Sequence, residues 1–279
     1  MTEEQLGNAA PTFDTGVPHP ARVYNAILGG KDNYAADRAA AEATIRAFPG
    51  NAMAARANRA FLARAVNYLT TEAGIRQFLD IGTGLPSADN THEVAQAAAP
   101  GCRVVYVDND PIVLAHARAL LTSAEPGATS YIEADLRDPG TILQQAARRL
   151  DLTQPVAVML VAVLHLIADD DNPYQLVSTL MDAVPAGSYL AMSHLANDLY
   201  PEQMAELARG FNEQSPVKVI LRNRAEISRF FSGLELTDPG IAQVSRWRPR
   251  SDLEAAAPAI LWAGVARKPA QGNTAAGVA

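Results

Sequence analysis

The sequence predicts an α/β fold: a doubly wound sheet of seven strands, five parallel and the last two an antiparallel hairpin, under an N-terminal helical cap. Three observations carry this expectation. Between Ala21 and Thr71 the apolar residues recur at helical spacing, with no strand-like run among them. From Gly74 onward the rhythm becomes strand, turn and helix, repeated, and such alternation builds a parallel sheet with helices on both faces. Near the end, two strand-like runs, Leu234–Val244 and Ala259–Ala266, follow one another with no helix between them, and strands joined without a crossover pair antiparallel.

Residues 1–20 are polar, Pro-containing and aperiodic, and read as a flexible arm. A first helix follows, with Val23, Ile27 and Leu28 on one face and Gly29-Gly30 as its stop. Asp32 or Asn33 can cap a second helix over Ala35–Phe48, closed by Pro49-Gly50. A third runs from Ala52 to Glu72, with Phe61, Ala65, Tyr68 and Leu69 on one stripe. Strands are expected at 76–81, 103–108, 129–133, 155–163 and 187–193, with helices near 88–98, 111–122, 140–150 and 173–183. Two further helices, near 201–213 and 223–231, precede the terminal hairpin. The whole reads as one domain over 21–268, divided into a helical cap (21–72) and a sheet core (73–268), with a Gly/Ala-rich tail at 269–279.

Composition narrows the function classes. The 279 residues are 48% hydrophobic, enough for a sheet covered on both faces, and the net charge is −7. No Lys/Arg run is concentrated enough to track phosphates, which argues against a nucleic-acid partner. Cys102 is the single cysteine, so neither an intramolecular disulfide nor a Cys-based metal cluster is available. The first residues lack a basic and then apolar leader, and no signal peptide is expected. The most apolar run, Val156 to Ala168, is too short to span a bilayer and suits a strand buried on both faces. A cytoplasmic protein without membrane partners is the expectation.

Arg76-Gln77-Phe78-Leu79-Asp80-Ile81-Gly82-Thr83-Gly84-Leu85-Pro86 is an apolar strand that ends on a carboxylate and runs straight into a glycine turn. Glycines let backbone N–H groups approach a ligand closely, as in Rossmann-like nucleotide sites. Asp80 would repel a dinucleotide pyrophosphate and hold an ammonium or sulfonium, which points to S-adenosylmethionine (SAM) rather than NAD. The next strand, Val104-Val105-Tyr106-Val107-Asp108, ends where a ribose would lie, with Asn109 beside it. A carboxylate there accepts from both ribose hydroxyls; its other reading is a cap for the helix at Pro111, a role that Asp110 fills better. Tyr131-Ile132-Glu133-Ala134-Asp135 ends in a carboxylate again, followed by Leu136. Asp135 can accept from an adenine amino group and Leu136 can pack on the ring, or the pair is a surface turn before Pro139. Three successive strands ending in carboxylates at one edge are hard to explain as three unrelated caps.

These stretches resemble the first three motifs of class I SAM-dependent methyltransferases. More narrowly, Ala21-Arg22-Val23-Tyr24-Asn25, Leu28-Gly29-Gly30-Lys31-Asp32-Asn33-Tyr34, Arg56-Ala57-Asn58-Arg59-Ala60-Phe61 and Gly84-Leu85-Pro86-Ser87-Ala88-Asp89-Asn90-Thr91-His92-Glu93 are similar to an actinobacterial subfamily defined by sequence, without an assigned substrate. The resemblance covers most of 20–268. It implies that Asp80 and the Gly82/Gly84 turn hold the methionine end of SAM, Asp108 the ribose and Asp135 the adenine. One departure is Pro86, which stands where many of these motifs carry a third glycine.

On the acceptor side the fourth strand continues as Leu160-Val161-Ala162-Val163-Leu164-His165-Leu166-Ile167, without the Asn/Asp-Pro-Pro-aromatic box shared by enzymes that methylate exocyclic nitrogens. Backbone carbonyls at Val161–Val163 can contact the cofactor, and the apolar side chains favour a small, partly apolar substrate. His165 and His194, at the ends of strands four and five, are the candidate proton acceptors; each can equally be a hydrogen-bonded loop histidine. His19, His92 and His116 look peripheral or helical. Asp169-Asp170-Asp171-Asn172 and Asn197-Asp198 admit a metal reading, but Asp171 or Asn172 before Pro173 is an ordinary helix cap, and no metal is expected. From the cap, Tyr24, Asn33 and Tyr34 are candidate substrate contacts. Arg22, Lys31, Arg56 and Arg59 can reach the SAM carboxylate, Arg59 being preferred, while Trp247 and Arg248 line the pocket or cover an edge. The leading function is SAM-dependent methyl transfer to a small molecule. The alternatives are a non-catalytic SAM or small-molecule binder and an NAD-dependent oxidoreductase; the latter lacks the third glycine, which is Ser87 here.

Overall fold

In the computed structural model the residues described are 14–120 and 128–270, with side chains 117–120 left aside. The expectations for residues 1–13, 271–279 and the end of the helix near 111–122 lie outside the described residues. Three helices come first: α1 (Pro20–Leu28), α2 (Ala35–Ala47) and α3 (Asn51–Thr71). α1 ends where Gly29 turns left-handed at φ 84°. α2 is not capped by Asp32 or Asn33. Its N-cap is Tyr34, and Asp37, fully buried, accepts from the backbone N–H groups of Tyr34 and His19 while lying 3.3 Å from Arg22 Nε. One carboxylate thus fixes the starts of two helices.

The core alternates β1 (Gln77–Ile81), α4 (Thr91–Ala98), β2 (Arg103–Asp108), α5 (Pro111–Leu120), β3 (Thr129–Glu133), α6 (Pro139–Ala146), β4 (Ala157–Val161), α7 (Pro173–Asp182) and β5 (Tyr189–Leu195). After α8 (Pro201–Gln214) and α9 (Arg224–Ser228) come β6 (Glu235–Leu236), β7 (Ala242–Gln243), α10 (Asp252–Ala255) and β8 (Leu261–Arg267). α4 starts three residues later than expected because Glu93 accepts from the Asn90 N–H at 2.8 Å and Asp89 is left-handed at φ 58°. The strand order is β3-β2-β1-β4-β5-β8-β6, with β7 also pairing β8; β1 to β5 run parallel, and β8 is antiparallel to β5, β6 and β7. The predicted long strand 234–244 is therefore two short ones, parted by a turn at Thr237–Gly240. The predicted absence of a helix before the last strand is corrected by α10.

The alternation of side chains in the central strands explains the layering. Phe78, Val104, Tyr106, Met159, Ala191 and Val265 pack beneath α3 with Phe61, Leu69 and Trp247. Their neighbours Leu79, Ile81, Val105, Val107, Val158, Leu160 and Leu190 pack on the other face with residues of α6 and α7. Both faces are buried, which is why these strands read as continuous apolar runs. Among the described residues no helix is long and apolar enough to cross a membrane. The strand order reverses between β1 and β4, and a crevice outside the carboxyl ends of the strands belongs at such a switch point.

Candidate functional site

A cavity of about 760 Å³ occupies that crevice, within the size range of small-molecule sites. Asp80, next to last in β1, Asp108 at the end of β2 and Asp135, two residues past β3, all line it together with Gly82–Gly84. The glycine turn is forced by packing. Gly82 has φ 76°, and a Cβ placed there would lie 2.4 Å from Val163 Cγ2. Gly84 has φ 66° and faces open space. A side chain would be strained at both positions, whereas glycine leaves the backbone bare to a ligand.

Each carboxylate has a different chemical state. Asp80 is buried, and its Oδ2 accepts from Thr91 Oγ1 at 2.6 Å. Burial pushes its pKa up to about 6, against the pull of the Thr91 hydroxyl and the Arg59 guanidinium. Asp108 accepts from the Gly84 N–H (2.8 Å) on one oxygen and the Asp110 N–H (2.9 Å) on the other, so it locks the turn while keeping lone pairs for a diol. Its carboxyl is also raised, chiefly by burial. Asp110 caps α5 through the Ile112 N–H. Asp135 is different. Arg137 donates to it from its backbone N–H, Nε and Nη2, and Asn109 Nδ2 adds a fourth bond at 3.1 Å. Its four acceptor positions are filled, and the Arg137 guanidinium holds its pKa near 2. Leu136 is buried behind it and lines the cavity.

Arg59 lies in the wall, donating through Nη2 to the carbonyls of Ala88 (2.9 Å) and Asp89 (3.1 Å), while its Nε is buried without a partner. Arg22 is committed to Asp37, and Lys31 and Arg56 are exposed, so Arg59 is the one of these four brought to the cavity. Next to it in sequence, Asn58 forms a buried relay: Ser193 Oγ donates to Asn58 Oδ1 (2.6 Å), Asn58 Nδ2 to Tyr24 Oη (3.1 Å), and Tyr24 Oη to the Ala55 carbonyl (3.0 Å). Ser193 Oγ also accepts from the N–H of Ala162, a non-glycine residue at φ 57° just past β4. Strain of that kind costs roughly 1–3 kcal/mol and persists only where neighbours over-determine it. The cap is thereby joined to the end of the central strand at Val161, which also lines the cavity.

The remaining expectations divide. Tyr24 lines the cavity; Asn33 and Tyr34 do not. Asn33 bonds Asn25 and the Gly30 carbonyl, and Tyr34 lies under the Arg22 guanidinium beside Leu85, Ile112 and Val113. His165 lines the cavity, and burial with the nearby Arg222 charge lowers its pKa to about 3. His194 is sealed away: Arg222 donates to its Nε2 at 2.8 Å, so the proton sits on Nδ1 and is given to the Leu195 carbonyl. Trp247 is wholly buried in the core, and Arg248 stacks on Tyr68 outside the cavity. Asp169 of the acidic run pairs with Arg222, and among the described residues no group of three or more His, Cys, Asp or Glu could hold a metal.

Three contributions escaped the sequence reading. His19, judged peripheral, lines the cavity with Nδ1 3.0 Å from Asp110. Arg222 is buried and donates to the carbonyls of Leu164 and Ile167, holding the segment after β4 that carries His165. Phe211 of α8 and Val217 beyond it wall the far side. Nothing in the local sequence around 207–219 sets it apart from an ordinary amphipathic helix and loop.

The residues present suit SAM: an acidic strand end beside a bare glycine turn, a ribose-type acid with lone pairs to spare, and a half-buried arginine whose Nε donor is unused. Comparison decides the family. The S-adenosyl methyltransferase family model matches residues 7–269. The chain belongs to that family. It is similar to a DUF574 family protein from Streptomyces avermitilis, with 45% identity over 92% of this chain and 99% of that one and a TM-score of 0.88. It is similar also to a methyltransferase candidate from Thermobifida fusca, with 42% identity over 95% and 100% and a TM-score of 0.85. A SAM-dependent methyltransferase from Anabaena variabilis shares the fold at 15% identity, over 72% of this chain and 79% of that one, with a TM-score of 0.51. No curated protein matches the sequence. The protein is a SAM-dependent methyltransferase, with SAM as its cofactor.

Proposed function

We propose that the protein methylates a small molecule enclosed between the strand ends and the N-terminal cap. The observation that carries this is one continuous cavity, lined by the three strand-end carboxylates at one end and by apolar residues of the cap and α8 at the other. When bound, SAM supplies a methyl group already activated by its sulfonium. Asp80, Gly82, Gly84 and Arg59 hold the amino-acid end, and Asp108 with Asn109 the ribose. Asp135, Leu136 and the Val161 backbone border the base once Arg137 has moved aside. Tyr24, fixed by Asn58, orients the acceptor and excludes water, and enclosure supplies the rest through proximity and orientation. Asn33 and Tyr34 act only by shaping the cap, and His165 as a neutral hydrogen-bonding group. The size of the enclosure and the absence of a basic run favour a small acceptor over nucleic acid, in a cytoplasmic, single-domain protein spanning 21–268.

Isothermal titration with SAM tests the assignment. Asp108→Ala removes both the ribose acceptor and the lock on Gly84, and the dissociation constant is expected to rise about 10- to 100-fold. An unchanged constant in a folded variant would falsify the site.

A further inference from the structure

We propose that the acceptor is an apolar carboxylic acid whose carboxylate oxygen takes the methyl group directly. The inference rests on reading the carboxylate end of the cavity as the SAM site, and it concerns the other end, at β4, β5, β8 and α8.

Charge is the first argument. Of the carboxylates lining the cavity, Asp80, Asp108 and Asp135 belong to the ends of β1 to β3. Asp32 lies 3.5 Å from His116 of α5, and Asp171 acts electrostatically on Arg137 next to Asp135. The far end, walled by Leu62, Leu195, Leu207, Phe211, Val217 and Leu261, has no carboxylate among the described residues. A substrate ammonium enclosed there would lack a counter-charge, a costly arrangement in apolar surroundings. The charge that lines this end is the positive one of the exposed Lys218. Lys218 lines this end, with Nζ donating to the carbonyls of Asn212 and Ser215 and one N–H left over. Arg222 is buried behind His194 and the segment that carries His165, and it is paired with the exposed Asp169.

Proton chemistry is the second argument. His165 is held far below the range of a working base, His194 is out of reach, and the Tyr24 hydroxyl is already spent on the Ala55 carbonyl. An alcohol or a protonated amine would have to lose a proton that no group here is fit to take. An acceptor that arrives already in its nucleophilic form meets this constraint, and a carboxylate, ionised at neutral pH and in keeping with the positive charge nearby, is such an acceptor. Its lone pair forms the new O–CH₃ bond as the S–CH₃ bond breaks. The electron pair of the broken bond stays on sulfur, and no proton moves. An anion and a sulfonium become two neutral products, a change that an apolar enclosure favours.

Calorimetry distinguishes the possibilities with three probes on one skeleton: naphthoic acid, naphthylmethylamine and naphthalenemethanol, each titrated into protein saturated with S-adenosylhomocysteine. The acid is expected to bind at least about tenfold tighter than either of the others. Equal or tighter binding of the amine or the alcohol overturns the proposal, as does failure of all three to bind. A prior titration with SAM keeps the two readings apart. Failure to bind SAM refutes the site itself, whereas normal SAM binding with a preference for the amine refutes only the acidic acceptor.

Discussion

The two ends of the cavity are built on opposite principles. At the ends of β1 to β3 every strand delivers a carboxylate, and backbone N–H groups of the turns are drawn onto these acids. At the ends of β4 and β5 the wall is apolar, and its polar parts are turned inward to one another: Ser193 to Asn58, His194 to Arg222. The first end is shaped by groups that can still bind something. The second is shaped mostly by groups bonded to one another, with His165 Nδ1 and one Lys218 N–H left over, which leaves specificity chiefly to volume and charge.

Removing the inward-turned scaffold should do the greatest damage. Arg222→Met leaves the Leu164 and Ile167 carbonyls and His194 Nε2 without their donor, and unfolding in urea should register a loss of about 3 kcal/mol. In the folded fraction, SAM affinity should stay within about threefold while acid-probe binding disappears. Equal losses at both ends would break the division drawn above.

Asp80→Asn should act in the opposite sense on stability. Because the folded protein raises this carboxyl from 3.8 to about 6, the ligand-free protein gains from its protonation below 3.8 and loses that gain as pH rises through 6. An uncharged asparagine escapes the loss, so thermal unfolding at neutral pH should show a gain of about 2 kcal/mol, together with SAM binding weakened at least about tenfold. In the wild type, SAM affinity should climb between about pH 5 and 7 as Asp80 ionises. A flat profile would remove Asp80 from contact with the amino-acid end.

The smallest effect tests the base end. Arg137→Ala releases Asp135 from its four-bond saturation, and SAM should bind about two- to fivefold tighter if that acid accepts from adenine. Weaker binding would instead make Arg137 itself part of the site.

The carboxylate end of the cavity was legible in the sequence because it depends on short-range patterns. A carboxylate at a strand's last position and glycines directly after it are set by the local chain, so Asp80, Gly82, Gly84 and Asp108 could be named from spacing alone. The parallel order of the five main strands followed from the strand–helix alternation. The opposite end of the cavity depends on residues far apart in sequence. Asn58 meets Ser193, and Arg222 meets His194 and the Leu164 carbonyl, only through tertiary packing. For the same reason His194 looked available, since the arginine that claims its free nitrogen lies 28 residues away. The run 234–244 misled because its apolar residues sit on both sides of a turn that strand periodicity does not register.

The cap's attachment carries a last consequence. Toward the carboxylate end it is tied by polar contacts: His19 to Asp110, Asp32 to His116, and Arg59 to the carbonyls of Ala88 and Asp89. Toward the apolar end it is tied by grease, with Val23, Ala40 and Ala41 packed on Ala208, Phe211 and Val219. Contacts made by charged side chains weaken with salt and apolar ones with cold. Brine and ice should therefore pry at opposite edges of the same roof, giving the experimenter two independent handles on its opening.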